Sequence, residues 1–152
     1  YGSKYEELYN MDILFEGISF YDLKPHKDER GFFMEIGRLE ENNFFKEGVL
    51  QVSHSYVNTG IEKGWHSHKI QTQWNYVISG IIEVELIDLR VNSKTYLNKV
   101  CFTINPKLKP TIYKFDKMIG HRYRVIKELN IVYFTSGVYD LNDEIRHPLN
   151  MF

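Results

Sequence analysis

The sequence is poor in features that would point to several common classes of protein. Cys101 is its one cysteine, which excludes a disulfide framework and a cysteine-based zinc site. The apolar residues on either side of Cys101 predict that its side chain is buried. The formal net charge is -1, so no charge excess favours a nucleic acid or an anionic membrane as partner. No apolar run approaches the roughly 20 residues of a membrane span, and no signal-peptide pattern opens the sequence, which together favour a cytoplasmic protein.

Helical periodicity is also scarce, and residues 39–45 are the best helix candidate. Aromatic residues are abundant instead, with 11 Tyr and 10 Phe, and these residue types are typical of strands. Strands are predicted at residues 13–21, 32–36, 49–57, 74–78, 81–89, 99–104, 111–115, 123–126 and 131–135. Residues 24–31 are predicted to form a polar turn, and Ser79-Gly80 is predicted as a hairpin turn. Short strands at regular spacing favour an all-β sandwich or closed barrel with one short helix.

The chain shows no internal repeat, linker or low-complexity tract. Its 152 residues are enough to bury a core without covalent or metal cross-links. We therefore predict a single domain over residues 11–152. Residues 1–10 are interpreted as an N-terminal extension, either native or left over from expression.

Histidines provide the clearest sign of a functional site. His66 and His68 are two residues apart, so on a strand both project from the same face. Gln73 follows after four residues, and His121 lies in a later predicted strand. Such side chains converging inside a barrel are able to bind one divalent transition metal through mixed nitrogen and oxygen ligands. Alternatively, they are hydrogen-bonded cavity side chains that bind an organic ligand directly.

The spacing from Gly60 to Gly80 resembles the first cupin motif: Gly, five residues, His-x-His, three or four residues, Glu, six residues, Gly. Gln73 stands where that motif has Glu. The second cupin motif has a histidine after a Pro-x-Gly turn. His121 takes that place, with Asp116 and Met118 instead of Pro and Gly. The resemblance implies a cupin barrel, a double-stranded β-helix of the jelly-roll type.

Several segments, in conserved order from about residue 13 to 146, resemble the dTDP-4-dehydrorhamnose 3,5-epimerases. They are residues 28–35 (DERGFFME), 51–55 (QVSHS), 63–66 (KGWH), 87–90 (IDLR), 121–123 (HRY) and 133–139 (YFTSGVY). These epimerases are cupins that need no cofactor and act on nucleotide-linked 4-keto-6-deoxy sugars. Family members commonly form homodimers in which an N-terminal strand crosses to the neighbouring sheet. The resemblance implies that residues 13–21 do so here, and that Arg30 serves the partner's site.

The resemblance also implies a role for individual residues. His66 matches the catalytic base, and Tyr133 matches the acid that returns the proton. Arg30 and Lys63 match residues that bind the pyrophosphate, and Tyr139 matches a residue that stacks on the nucleotide base. Further substrate-binding residues are Glu35, Gln51, His68, Gln73 and His121.

Two departures from the family pattern concern the chemistry itself. The family has a lysine that stabilises the enolate where this chain has Gln73, a neutral and weaker electrostatic partner. A C-terminal aspartate that orients the catalytic histidine has no match here, and Asp88 or Glu35 are the proposed substitutes.

Other readings stay open at this point. Residues 66–69 (HSHK) resemble a run in the sugar 3,4-ketoisomerases, which are also cupins and use two histidines. A metal-dependent cupin would use His66, His68, Gln73 and His121 as ligands. A third possibility is a protein that binds a sugar nucleotide without catalysis.

Overall fold

The computed structural model describes residues 16–40 and 43–152, and this part of the chain is almost entirely β-structure. Its strands are β1 (Ile18–Asp22), β2 (His26–Asp28), β3 (Gly31–Phe33), β4 (Gln51–Val57), β5 (Glu62–His68), β6 (Gln73–Asp88), β7 (Lys99–Ile104), β8 (Thr111–Phe115), β9 (Ile119–Thr135) and β10 (Glu144–Arg146). The all-β class predicted from the sequence is confirmed. Nowhere in these described ranges is there a helix long and apolar enough to span a membrane.

The long strand β9 holds the main sheet together. It pairs antiparallel with β6 along one edge. Along its other edge it pairs with β5 near its start and with β4 near its end. The eight-stranded sheet follows the order β1-β8-β6-β9-β5-β10, with β7 added to β6 and β4 to β9. Strands β2 and β3 form a separate hairpin.

Alternation of side chains along the strands produces the core. In β6, Ile82, Val84 and Leu86 are buried, whereas Glu83 is exposed. These residues join aromatic side chains such as Phe102 in the main apolar cluster. Burying each large apolar side chain contributes about 1.5–3 kcal/mol. A smaller cluster, built on Leu23, Phe45, Trp74 and Ile112, packs elsewhere against the sheet.

Two predicted turns and one predicted break between strands differ from the structure. Ser79-Gly80 is not a hairpin, because β6 runs without a break from Gln73 to Asp88. The two residues that are typical of a turn lie where the pairing of β6 with β9 is irregular, between Val77 and Ile82. In the same way, the predicted strands at 123–126 and 131–135 are parts of the single strand β9. The predicted polar turn at 24–31 is instead largely the β2–β3 hairpin, with its turn at residues 29–30.

Other local predictions are corrected as well. The short helix predicted at 39–45 is a 3-10 turn at Asn43–Phe45, and residues 41–42 lie outside the described residues. Cys101 is exposed rather than buried, because β7 turns this side chain outward while Val100 and Phe102 point into the core. Residues 13–15 and the proposed extension 1–10 also lie outside the described ranges. The described part of the first strand, β1, pairs with β8 of the same chain.

Gly80 offers a test of how tightly β6 and β9 approach each other. Its φ is +101°, and a Cβ there would lie well inside contact distance of the Glu128 carbonyl oxygen. We expect Gly80→Ala to lower the free energy of unfolding by more than about 2 kcal/mol, measured by chemical denaturation. Gly60→Ala is the matched control, because Gly60 has φ +87° but no atom within 4 Å of the added Cβ. That control should lose only about 1 kcal/mol through backbone strain. Equal losses in the two variants would contradict the close approach.

Candidate active site

A cavity of about 250 Å³ lies among strands β4, β5, β6 and β9. The residues that line it all carry a polar group, and they are Gln51, Ser53, Ser55, Lys63, His66, His68, Gln73, Asn75, His121, Tyr123, Tyr133, Thr135 and Glu144. All four residues of the predicted His66, His68, Gln73 and His121 group therefore line one cavity. Gln51, Lys63 and Tyr133 join them there.

Cross-strand pairing accounts for one wall. Thr135 of β9 lies opposite Gln51 of β4 and Gln73 of β6. Two residues earlier in β9, Tyr133 lies opposite Ser53 and Asn75 in the same way. Directly opposed residues on antiparallel strands present their side chains on the same face. The strand register therefore brings these six polar side chains together on the cavity face. The alternate residues of β4 face outward.

A bulge in β5 brings Lys63 into the same cavity as the histidines. Lys63 pairs with Tyr123 and His66 pairs with His121, and the register shifts between these pairs. Without that shift, strand alternation would place residue 63 on the face opposite to residues 66 and 68. Gly64 is in the bulge with φ +114°, and a Cβ there would come within 2.5 Å of the His121 carbonyl oxygen.

The three histidines are close together and differ in their exposure. The rings of His68 and His121 stack with centroids 5.5 Å apart, and those of His66 and His121 meet edge to face at 5.9 Å. Phe115 covers His121 at 4.4 Å. Burial lowers the pKa of His121 well below its usual value, and the neighbouring His68 and His66 lower it further. Burial also lowers the pKa of His66, although Glu144 opposes this effect. Both rings are therefore held in the neutral form at neutral pH.

The family model for dTDP-4-dehydrorhamnose 3,5-epimerase matches residues 12–149. The chain belongs to this family. It is also 34% identical over 139 residues to the spore coat polysaccharide biosynthesis protein SpsL of Bacillus subtilis (strain 168), covering 89% of this chain and 90% of that protein. The enzyme class predicted from the sequence, an isomerase of the epimerase type, is confirmed.

Solved structures of similar proteins confirm the cupin barrel. The dTDP sugar isomerase from Desulfovibrio desulfuricans G20 superimposes with a TM-score of 0.82 at 20% identity, over 90% of this chain and 87% of that chain. The dTDP-4-dehydrorhamnose 3,5-epimerase from Sulfolobus tokodaii gives 0.81 at 23% identity, over 90% and 80%. The 3,5-epimerase of Legionella pneumophila Philadelphia 1, solved in complex with dTDP-4-keto-L-rhamnose, gives 0.78 at 22% identity, over 87% and 73%.

Two carboxylates that the sequence analysis did not identify lie beside His66 and His68. Glu144 of β10 places Oε1 3.8 Å from Nδ1 of His66, and Asp143 places Oδ2 3.4 Å from Nδ1 of His68. The suggested substitutes do not take this place. Asp88 accepts hydrogen bonds from Arg90, Ser93 and Thr95, and Glu35 pairs with the exposed Arg38. The sequence feature that could have pointed to these carboxylates is the adjacent acidic pair Asp143-Glu144. Its segment is too short to show the periodicity of a strand.

Tyr133 forms a pair with a second tyrosine. The hydroxyl groups of Tyr123 and Tyr133 are 2.6 Å apart, and either one is able to donate. Burial raises the pKa of Tyr133, and hydrogen bonds with Tyr123 and Ser55 partly offset this. The phenol therefore keeps its proton at neutral pH, which a general acid requires.

Gln73, at the position of the family's lysine, belongs to a neutral hydrogen-bonded chain. Its side-chain amide donates to Asn75 Oδ1 at 2.8 Å, and the Asn75 amide donates to the Tyr113 hydroxyl at 2.7 Å. Lys63 is the one lysine or arginine among the described residues that line the cavity. Positive charge for an enolate or a phosphate group is therefore scarce within this chain's own site.

Three residues predicted to bind substrate do not line the cavity of their own chain. Arg30 is exposed at the turn between β2 and β3, where it pairs with Asp28 at 2.6 Å. Glu35 is exposed and pairs with Arg38. Tyr139 has 64% of its surface exposed, and its backbone N–H donates to Gln51 Oε1.

The geometry gives no support to the predicted metal ligand set. Within residues 16–40 and 43–152, no three His, Cys, Asp or Glu side chains are grouped so as to hold a metal ion. Instead, the parallel rings of His68 and His121 stack on one another, with their centroids 5.5 Å apart.

The buried, neutral His121 gives a testable dependence of stability on pH. The unfolded chain takes up a proton at this residue near pH 6.5, whereas the folded chain does so only at a much lower pH. Stability is therefore unaffected by His121 above pH 6.5 and falls as the pH is lowered below it, by at most about 1.4 kcal/mol per pH unit. We expect His121→Gln to reduce this slope between pH 6.5 and about 5, as measured by denaturation at several pH values. His54→Gln, on the exposed outer face of β4, is the control and should keep the wild-type slope. An unchanged slope in His121→Gln would contradict the prediction.

Proposed function

We propose that this protein epimerises a dTDP-linked 4-keto-6-deoxy sugar by removing and returning a proton at carbon next to the ketone. The family and the substrates named for its relatives support this class of substrate. The observation that carries the proposal is one cavity in which neutral His66, backed by Glu144, and protonated Tyr133 both have side chains.

The chemistry needs a base and an acid that work in sequence. A 4-keto group acidifies the hydrogens on the two carbons beside it. His66 takes one of these protons, and the electron pair of the broken C–H bond forms an enolate with its negative charge on the ketone oxygen. Tyr133 then gives its proton to the same carbon from the opposite face, which inverts that centre. Glu144 stabilises the imidazolium that forms, by analogy with other imidazole–carboxylate pairs.

The enolate receives weaker electrostatic support here than a lysine would provide. Gln73 is neutral, and part of its donor capacity is used by Asn75. Lys63 supplies the positive charge of the cavity, and it acts as a point charge rather than through a bidentate contact. We therefore infer that Lys63 contributes both to phosphate binding and to the charge balance of the reaction.

A homodimer would complete the substrate site. Arg30, Glu35 and Tyr139 are exposed in their own chain, and β4 pairs only with β9 among the described strands. The outward face of β4 also exposes apolar side chains, with Val52 at 60% and Tyr56 at 57%. We infer that a second copy packs near this face and lends its β2–β3 hairpin, with Arg30, to the neighbouring cavity.

Proton exchange with solvent tests the proposed reaction. The wild-type protein should incorporate deuterium from D2O into dTDP-4-keto-6-deoxyglucose beside the ketone. His66→Asn and Tyr133→Phe should each slow incorporation at one or both carbons by roughly 10²-fold or more, because each removes a proton-transfer group. His54→Asn should leave the rate unchanged, because His54 points away from the cavity.

Two outcomes would separate the alternative functions. Dialysis against EDTA should leave exchange unchanged, and a loss of exchange would favour the metal-dependent reading. A wild-type protein that is stabilised by dTDP yet exchanges no protons would be a non-catalytic binding protein.

Mixing two inactive variants tests whether Arg30 acts across a dimer. Equal amounts of Arg30→Ala and His66→Asn, unfolded and refolded together, should regain about one quarter of wild-type activity, because half of the dimers then have one intact site. Refolding each variant alone is the control and should restore nothing. A monomeric mass by light scattering, or no regain on mixing, would contradict the shared site.

A further inference from the structure

The proton donor of the proposed reaction has a second phenol beside it in the wall of the cavity. Tyr123 and Tyr133 both line the cavity, and their hydroxyl oxygens are 2.6 Å apart. Tyr123 is 6% exposed and belongs to the main apolar cluster, against which Tyr133 is partly buried. A buried phenol hydroxyl needs a hydrogen-bond partner. For Tyr123, that partner is the residue that returns the proton to the sugar.

The path of β9 brings the two tyrosines together. They are ten residues apart in the same strand, and a straight strand would separate them by about 33 Å. Between them, opposite residues 77–82 of β6, the pairing of the two strands is irregular. Irregularities of this kind bend strands, and both tyrosines point into the cavity around which β9 curves. The contact is therefore a product of the fold and not of neighbouring sequence.

The surroundings of the two phenols give them different acidities. Burial raises the pKa of Tyr123, and the adjacent Tyr133 raises it further. Burial also raises the pKa of Tyr133, but hydrogen bonds with Tyr123 and Ser55 lower it. Tyr133 is therefore the stronger acid of the pair, and Tyr123 keeps its proton when Tyr133 gives one up.

We propose that Tyr123 is a positioning residue that donates a hydrogen bond to Tyr133 during the reaction and thereby enables Tyr133 to invert the sugar carbon. This inference rests on the proposed function and deepens it. In the return step, the O–H bond of Tyr133 breaks, and the enolate electron pair forms a new C–H bond on the face opposite His66. The negative charge passes from the ketone oxygen to the Tyr133 phenolate, which accepts the O–H of Tyr123. His66 then releases its proton to water and Tyr133 takes one up, which restores the starting state.

The cavity offers the Tyr133 phenolate little other support. Lys63 is the one lysine or arginine among the described residues that line it. A hydrogen bond to a charged oxygen is stronger than one between neutral groups, so the bond from Tyr123 strengthens as the phenolate forms. Such a bond should accelerate the return step by about tenfold or more.

Removal of one hydroxyl group tests this role. Tyr123→Phe keeps the ring in the apolar cluster and loses the donor. We expect it to slow inversion of dTDP-4-keto-6-deoxyglucose, followed by NMR at the inverted carbon, by about tenfold or more. Tyr76→Phe is the matched control and should keep the wild-type rate, because Tyr76 packs in the smaller apolar cluster and does not line this cavity. Thermal unfolding of both variants checks that the fold is retained.

A change in the acidity of Tyr133 separates a loss of hydrogen bonding from a loss of packing. Replacing Tyr133 by 3-fluorotyrosine through an expanded genetic code lowers the pKa of the phenol, and so supplies part of the acidity that Tyr123→Phe removes. We expect this replacement to raise the inversion rate several-fold in Tyr123→Phe, and by much less where the Tyr123 hydroxyl is present. A packing defect would not respond to the acidity of the phenol.

Two results would overturn the role of Tyr123 while leaving the epimerase proposal intact. One is a wild-type rate of inversion in Tyr123→Phe. The other is an equal gain from the fluorinated residue with and without the Tyr123 hydroxyl. Absence of both inversion and deuterium incorporation in the wild type would overturn the proposed function itself, and this role with it.

Discussion

The antiparallel ladder between β6 and β9 is the constraint on which the site depends. Its register places Gln73 and Asn75 opposite Thr135 and Tyr133. Along the other edge of β9, β4 pairs with these same two residues, and β5 pairs with the segment around His121. A one-residue slip along β9 would turn every one of these side chains to the other face. The apolar residues Ile82, Val84 and Leu86 oppose such a slip, because it would expose them. The hydrophobic core thus determines the geometry of the polar cavity.

The sequence predicted the fold class and the histidine group well, for physical reasons. Strands β7 and β8 match their predicted bounds because each is a short apolar run between clear turn signals. His66 and His68 share a face because strand alternation requires it. The motif spacing also indicated correctly that Gln73 and His121 lie at the same cavity.

Features that depend on pairing between distant segments were not predictable in the same way. The bulge that brings Lys63 into the cavity follows from the register of β5 against β9, which no local pattern records. Residues 79–80 carry a turn signal, yet the ladder runs through them as a set of irregularities. Likewise, the carboxylates of Asp143 and Glu144 reach the histidines only because β10 pairs with the end of β5. Composition alone could not connect these segments.

Adjacent positions for the two carboxylates have an evolutionary consequence. Neighbouring residues of a strand point to opposite faces, and Asp143 and Glu144 reach neighbouring histidines only because Asp143 belongs to the turn and Glu144 begins the strand. Insertion or deletion of a single residue in that turn would displace both carboxylates at once, while the barrel and its core stayed intact. Under the proposed function, one mutational event would then weaken proton transfer while the cavity that binds the sugar remained. Short turns of this kind are where a family of enzymes can give rise to proteins that keep the ligand and abandon the reaction.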